Sequence, residues 1–203
     1  MVYKYLALLS RSITYPERLP TMPLRWTWTR VEESVQITGS RKTYSEADFR
    51  WAASELKLSA LPPSYIELMT RFGMGEWHPD FFISVPRDPV PHATLAGSIA
   101  AGFESAETLI AGGVAIPDPD KFRRLLVFGF NGSGFSLGWD PTEQDATGEM
   151  PLYMTDRDYL KLIPVGRDLL EFIGDYWIDR RIETAYPLRG DGWEPQPIFR
   201  AGW

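Results

Sequence analysis

Cysteine is absent from the 203 residues. That excludes a disulfide framework and any thiolate zinc site, and it fits a reducing compartment. Histidine occurs only as His78 and His92. With Asp80 these could offer metal-ligand chemistry, but no compact spacing ties the three together, so no metal site is expected. No apolar run approaches the roughly 18 residues needed to span a membrane. The run Tyr5–Leu9 after Lys4 is shorter than the roughly 7–15 apolar residues at the centre of a secretion signal. The expectation is a soluble, cytoplasmic protein without membrane contact. No glycine-rich turn leads into Gly-Lys-Ser/Thr, and no Gly-x-Gly-x-x-Gly follows a strand to open a helix. No cofactor is expected.

What is present suits a folded domain. An apolar fraction of 44%, with 14% aromatic, supplies a core and argues against disorder. The net charge of −6 is unevenly spread. Residues 73–158 carry 13 acidic and 5 basic side chains, whereas residues 1–60 carry 6 acidic and 9 basic. A sequence-independent nucleic-acid binder needs the opposite sign over its contact face, so nucleic acid is not expected as a partner.

The most informative stretch is Ser59–Trp77. Pro62 and Pro63 suit a first helical turn, and Tyr65, Leu68, Met69 and Phe72 form one apolar stripe. Gly73 then supplies the left-handed residue that commonly ends a helix. Before it, Ser45 and Asp48 have capping-box spacing, followed by a stripe of Phe49, Ala52, Ala53 and Leu56. Residues 1–24 carry too many prolines for a regular element. Trp26 and Trp28 alternate with Thr27 and Thr29, which predicts a strand over Arg25–Val31, with Val35 and Ile37 completing a hairpin.

Further on, Phe81–Val85 reads as a strand. Leu95, Ile99, Phe103, Ala106 and Ile110 predict a helix closed by Gly112-Gly113, weakened by about 1 kcal/mol each at Gly97 and Gly102. Leu125–Phe130 and Phe135–Asp140 flank Asn131-Gly132-Ser133-Gly134, a hairpin pattern. Pro151–Met154 predicts another strand, and Leu169, Phe172, Ile173 and Tyr176 mark a closing helix over Arg167–Arg181. Residues 186–203 read as an irregular tail rich in glycine and proline. Strands and helices without a βαβ rhythm predict an α+β domain over 25–185 with a mainly antiparallel sheet and helices packed on it.

The pattern Leu61-Pro62-Pro63-x-Tyr65-x-x-Leu68-Met69-x-x-Phe72-Gly73-x-Gly75 resembles the signature helix of the SUKH superfamily. That superfamily groups fungal cell-wall assembly regulators of the Smi/Knr type with many bacterial immunity proteins. Its usual form ends on Asn-Gly-Gly, where this chain has Phe72-Gly73-Met74-Gly75. The order of elements around the motif is also similar over residues 43–182. It comprises a preceding helix, a helix before a central hairpin, a hairpin arm ending on an acidic residue, and a closing Leu-x-x-Phe-Ile helix. The resemblance implies a binding module without chemistry of its own, either an immunity protein that neutralises a toxin or a regulatory scaffold.

One motif points elsewhere. Gly134-Phe135-Ser136-Leu137-Gly138 matches the Gly-x-Ser-x-Gly of serine hydrolases. Trp139-Asp140-Pro141 follows it where that fold needs a helix, and both histidines precede the serine instead of following it. Asp118 with Asp120, and Asp156 with Asp158, are loop neighbours with no sign of a shifted pKa. No catalytic residue is expected. A protein partner, in particular a basic toxin domain such as a nuclease, is expected instead. Its contact residues are expected after the signature helix, at Glu76, Trp77 and Asp80, and after the hairpin, at Trp139, Asp140, Glu143 and Asp145. Each group combines a tryptophan with carboxylates.

Overall fold

Apolar stripes and caps place the helices. The computed structural model describes residues 25–78, 81–132, 134–155, 161–179 and 197–202. Asp80, residues 1–24 and residues 180–196 lie outside that description. Ser45 opens α2 (Glu46–Glu55) through a complete capping box: its hydroxyl accepts from the Asp48 amide, and its own amide donates to the Asp48 carboxylate. Pro62 and Pro63 open α3 (Pro63–Arg71), and Phe72 ends it. Gly73 follows at φ +71°, and a Cβ there would lie 2.1 Å from the Lys42 carbonyl oxygen. Both the dihedral and the close approach require glycine.

Eight strands form one sheet in the order β1-β8-β2-β3-β4-β5-β6-β7. The strands are β1 (Gln36–Gly39), β2 (Gly75–Trp77), β3 (Phe81–Ile83), β4 (Leu126–Asn131), β5 (Ser136–Trp139), β6 (Leu152–Thr155), β7 (Leu162–Gly166) and β8 (Ile198–Ala201). Only β1 and β8 run parallel; every other neighbouring pair is antiparallel. Six α-helices among the described residues accompany the sheet: α1 (Trp28–Ser34), α2, α3, α4 (Leu95–Ala111), α5 (Pro119–Arg124) and α6 (Leu169–Ile173). A π turn, Gly174–Ile178, continues α6. The α+β fold with a mainly antiparallel sheet is thus present.

One sheet face carries the main core. Tyr65 is fully buried, edge-on to Trp139 at 5.4 Å between ring centres, and its hydroxyl donates to the Ser84 carbonyl at 2.7 Å. Phe72 meets Trp77, Phe199 and Trp28, and Phe81 meets Phe172 and Trp177. On the other face α4 crosses β4. Ala106, Ile116 and Phe122 form a smaller apolar cluster between α4 and α5.

Four sequence expectations need correction. The strand expected at Arg25–Val31 and its hairpin are replaced by α1. Thr27 caps that helix by accepting from the Arg30 amide, and Trp28, Val31 and Val35 follow helical spacing. The tail expected to be irregular contributes β8, wedged between β1 and β2, because Phe199 and Ala201 alternate inward onto the core. The domain therefore does not end at residue 185. On α4, Phe103 is 49% exposed, and the buried face is built from Leu95, Ser98 and Ala106. Small side chains allow the helix to approach the sheet closely. Finally, β7 was not anticipated; Pro164 lies within it, which an edge strand tolerates.

Candidate functional site

Register separates the two groups of candidate contact residues. Trp77 pairs with Phe81, and Phe81 with Asn131, at one end of the strands. Trp139 pairs with Leu126 and with Leu152 at the opposite end. Chain segments leaving β2 and β5 therefore depart from opposite ends of the sheet and do not share one face.

Both tryptophans belong to the core, which corrects their expected role as contact anchors. Trp77 is 1% exposed and packs on Phe72, Phe199 and Trp177. Trp139 is wholly buried and stacks on Phe128 at 3.6 Å between ring centres. The physical reason is the alternation of the strands, which turns both indoles toward the helix-covered face. Glu76, on the other face of β2, lies beside Arg200 at 3.4 Å.

Asp140 is also inside. Its carboxylate has no exposed surface; it accepts from the Thr142 amide and hydroxyl and from Arg124, with Lys121 at 3.6 Å. Burial works against its charged form, but the Thr142 and Arg124 hydrogen bonds outweigh it and hold the carboxyl below its ordinary value. Asp140 is therefore a structural anchor for the turn after β5, a correction to its expected place on a contact surface.

Glu143 and Asp145 are exposed. Glu143 accepts from Lys121 at 2.8 Å and from the Tyr153 hydroxyl at 2.6 Å. Asp145 accepts from the amides of Thr147 and Glu149 and from the Thr147 hydroxyl, so it shapes its own turn. These bonds hold its carboxyl below the ordinary value, the Thr147 hydroxyl contributing most, against a smaller opposing effect of burial.

Ion pairs tie the loop 140–149 to α5, and α5 to α4. Lys121 of α5 bridges to Glu143. Arg123 reaches Glu107 of α4 at 2.6 Å and Asp120 at 3.2 Å. Residues 104–149 contain eight acidic and three basic side chains, although Asp140 is buried and Glu149 half-buried. Glu104, Asp118, Asp120, Glu143 and Asp145 are all exposed. Sequence reasoning passed over α5 as part of this region; the signal was Lys121-Phe122-Arg123-Arg124, three cations set among carboxylates.

A second feature escaped the sequence altogether. On the sheet face that α4 crosses, Phe82 and Phe130 lie 5.9 Å apart and, with Met74, Val85, Val90 and Ala93, line a half-open apolar groove of about 260 Å³. Residues from three distant stretches meet there, and no local periodicity announces it.

Ser136 sits inside β5, 6% exposed, with its amide donating to the Thr155 hydroxyl. The Gly-x-Ser-x-Gly segment is a hairpin arm, and the strand-to-helix elbow that exposes a nucleophile is not formed there. Among the described residues no group of three His, Asp or Glu side chains is arranged to hold a metal. No described helix is long and apolar enough to cross a membrane. No protein-family model, no curated protein and no solved structure matches this chain.

Proposed function

We propose that the chain is a non-catalytic protein-binding module that neutralises a basic protein partner, as an immunity protein of the SUKH type neutralises a toxin domain, and that it acts in the cytoplasm. The observation that carries this reading is the ion-paired link from the loop 140–149 through α5 to α4, with exposed carboxylates on all three. Such carboxylates draw a positively charged partner into encounter and fix its orientation. The Lys121 and Arg123 pairs keep the carboxylates in place before the partner arrives, which lowers the ordering cost of binding. The signature-helix residues from Leu61 to Gly75 support the family part of the proposal.

The test is co-expression with the product of a neighbouring reading frame. Rescue of cells from a toxic neighbour, together with a stable complex of the two purified proteins, is the expected result. Absence of both for every neighbour would overturn the immunity reading. A regulatory adaptor of the Smi/Knr type is the second reading, favoured by the apolar groove at Phe82 and Phe130. A complex with a non-toxic partner, abolished by Phe130→Asp and indifferent to Asp120→Lys, would establish it instead.

A further inference from the structure

The first turn of α3 has no cap of its own, because Pro62 stands at the capping position and makes no side-chain hydrogen bond. The missing acceptor comes from Glu149, 85 residues away. One carboxylate oxygen accepts from the Ser64 amide at 2.7 Å, and the other accepts from the Ser64 hydroxyl at 2.7 Å. The same hydroxyl oxygen accepts from the amide of Leu169, the first residue of α6, at 3.1 Å. The preceding residue, Asp168, caps α6 by accepting from the Glu171 amide at 2.7 Å. Ser64 itself is 5% exposed. Glu149 thus holds one buried serine where the loop 140–149, α3 and α6 meet, and Asp168 immediately precedes the residue whose amide donates to that serine.

We propose that Glu149 and Asp168 form a proton-tightened clamp at Ser64 that sets how firmly the loop 140–149 is held against α3 and α6.

The two carboxylates are electrostatically opposed. Burial raises the Glu149 carboxyl above its ordinary value, the Ser64 hydrogen bonds lower it, and the charges of Asp168 and of Asp145 in its own loop raise it further. Burial likewise raises Asp168; the Glu171 amide opposes this, the Glu171 charge adds to it, and Arg167 relieves it. A carboxyl with a raised value in the closed clamp binds its proton more tightly there than in a released loop. Closure is therefore strengthened by protons: it is firmest below the ordinary carboxylate range near pH 4 and weakens as pH rises through the raised values. On protonation one Glu149 oxygen still accepts from the Ser64 amide, while the bond to the Ser64 hydroxyl reverses direction. The loop carries Glu143 and Asp145, so on the binding reading above the clamp governs the rigidity of the contact surface; the clamp itself does not depend on that reading.

The experiment is amide hydrogen exchange, followed by NMR on the full chain without any partner, between pH 7.5 and 5 and corrected for intrinsic exchange rates. The Ser64 and Leu169 amides should gain protection as pH falls, by up to about tenfold for each unit of raised pKa. Carboxyls with lowered values titrate below this window and do not mask the effect. Glu149→Gln removes that charge and keeps the contact with the Ser64 amide; it should give protection with a clearly smaller pH slope, the remainder coming from Asp168. Asp168→Asn should reduce the slope. Protection that stays flat or falls on acidification in the unmodified chain would overturn the clamp, as would an unchanged slope in Glu149→Gln. A missing partner would leave these results untouched, so the two proposals fail separately.

Discussion

Gly102 of α4 lies directly on Val127 of β4: a Cβ built on the glycine would stand 2.7 Å from the valine Cβ. A residue that weakens the isolated helix is the one that allows the helix to seat on the sheet. The cost in helix propensity, about 1 kcal/mol, is offset by the closeness of that contact.

A leucine at this position should therefore destabilise the fold even though leucine favours helix. Overpacking costs about 1–3 kcal/mol, and for Gly102→Leu the upper part of that range is expected because neither helix nor strand can retreat independently. Urea unfolding monitored by tryptophan fluorescence measures it. A variant as stable as the parent would mean that α4 does not seat on β4 at this point.

Phe72 closes α3 and is fully buried against Trp77 and Phe199, with ring centres 5.2 and 5.4 Å away. Phe72→Ala should cost about 3–5 kcal/mol, since the rigid aromatic neighbours cannot collapse into the space left. Denaturant midpoints at constant m-value give the number. A loss under about 1 kcal/mol would place the ring at the surface.

Much of this core was legible in the sequence, because local signals govern it. Tyr65, Leu68, Met69 and Phe72 follow helical spacing, and Ser45 with Asp48 forms the capping box that their spacing announces. The hairpin around Asn131 and Gly132 was equally plain. Non-local effects accounted for the failures. Trp26 and Trp28 alternate like a strand, yet Thr27 caps a helix between them. Phe199 looks like part of a loose tail until β1 and β2 offer it a slot. Of the expected contact residues, Glu143 and Asp145 are exposed, whereas Trp77, Trp139 and Asp140 are buried. Burial of a residue near a strand end depends on which strand lies beside it, and one segment cannot report that.

Asp140 should matter to stability in a pH-dependent way. Its carboxyl lies below the ordinary value in the fold, so its contribution is present above the ordinary carboxylate range and is lost as pH falls through the lowered value. Asp140→Asn should destabilise the protein at pH 7 by about 1–3 kcal/mol, leaving Arg124 and Lys121 without their buried counter-charge. Its stability should also fall less steeply than the parent's between about pH 5 and 2. Thermal unfolding across that range decides the matter, and parallel curves for the two proteins would remove Asp140 from the acid response.

The acidic surface makes the last prediction. Asp145 is a poor probe of it, because its carboxylate holds the turn that places Thr147 and Glu149. Asp120 and Glu104 are better: both are exposed, and the Asp120 side chain keeps 83% of its surface despite its contact with Arg123. Exposed pairs of that kind contribute little to stability, so Asp120→Lys and Glu104→Lys should leave the unfolding midpoint nearly unchanged. Association is a different matter, because an approaching basic partner responds to the summed charge over a Debye length of about 10 Å at 0.1 M salt. Reversing both charges should slow association by about tenfold at low salt, with most of the difference gone at 0.5 M and dissociation little altered. Glu46→Lys combined with Glu55→Lys on α2, both exposed, shifts the net charge by the same four units and serves as the control for a mere change in net charge. Stopped-flow measurement against an identified partner separates the cases. Equal slowing by the control would assign the effect to overall charge, and no slowing in the double variant would move the contact surface away from α4, α5 and the loop 140–149.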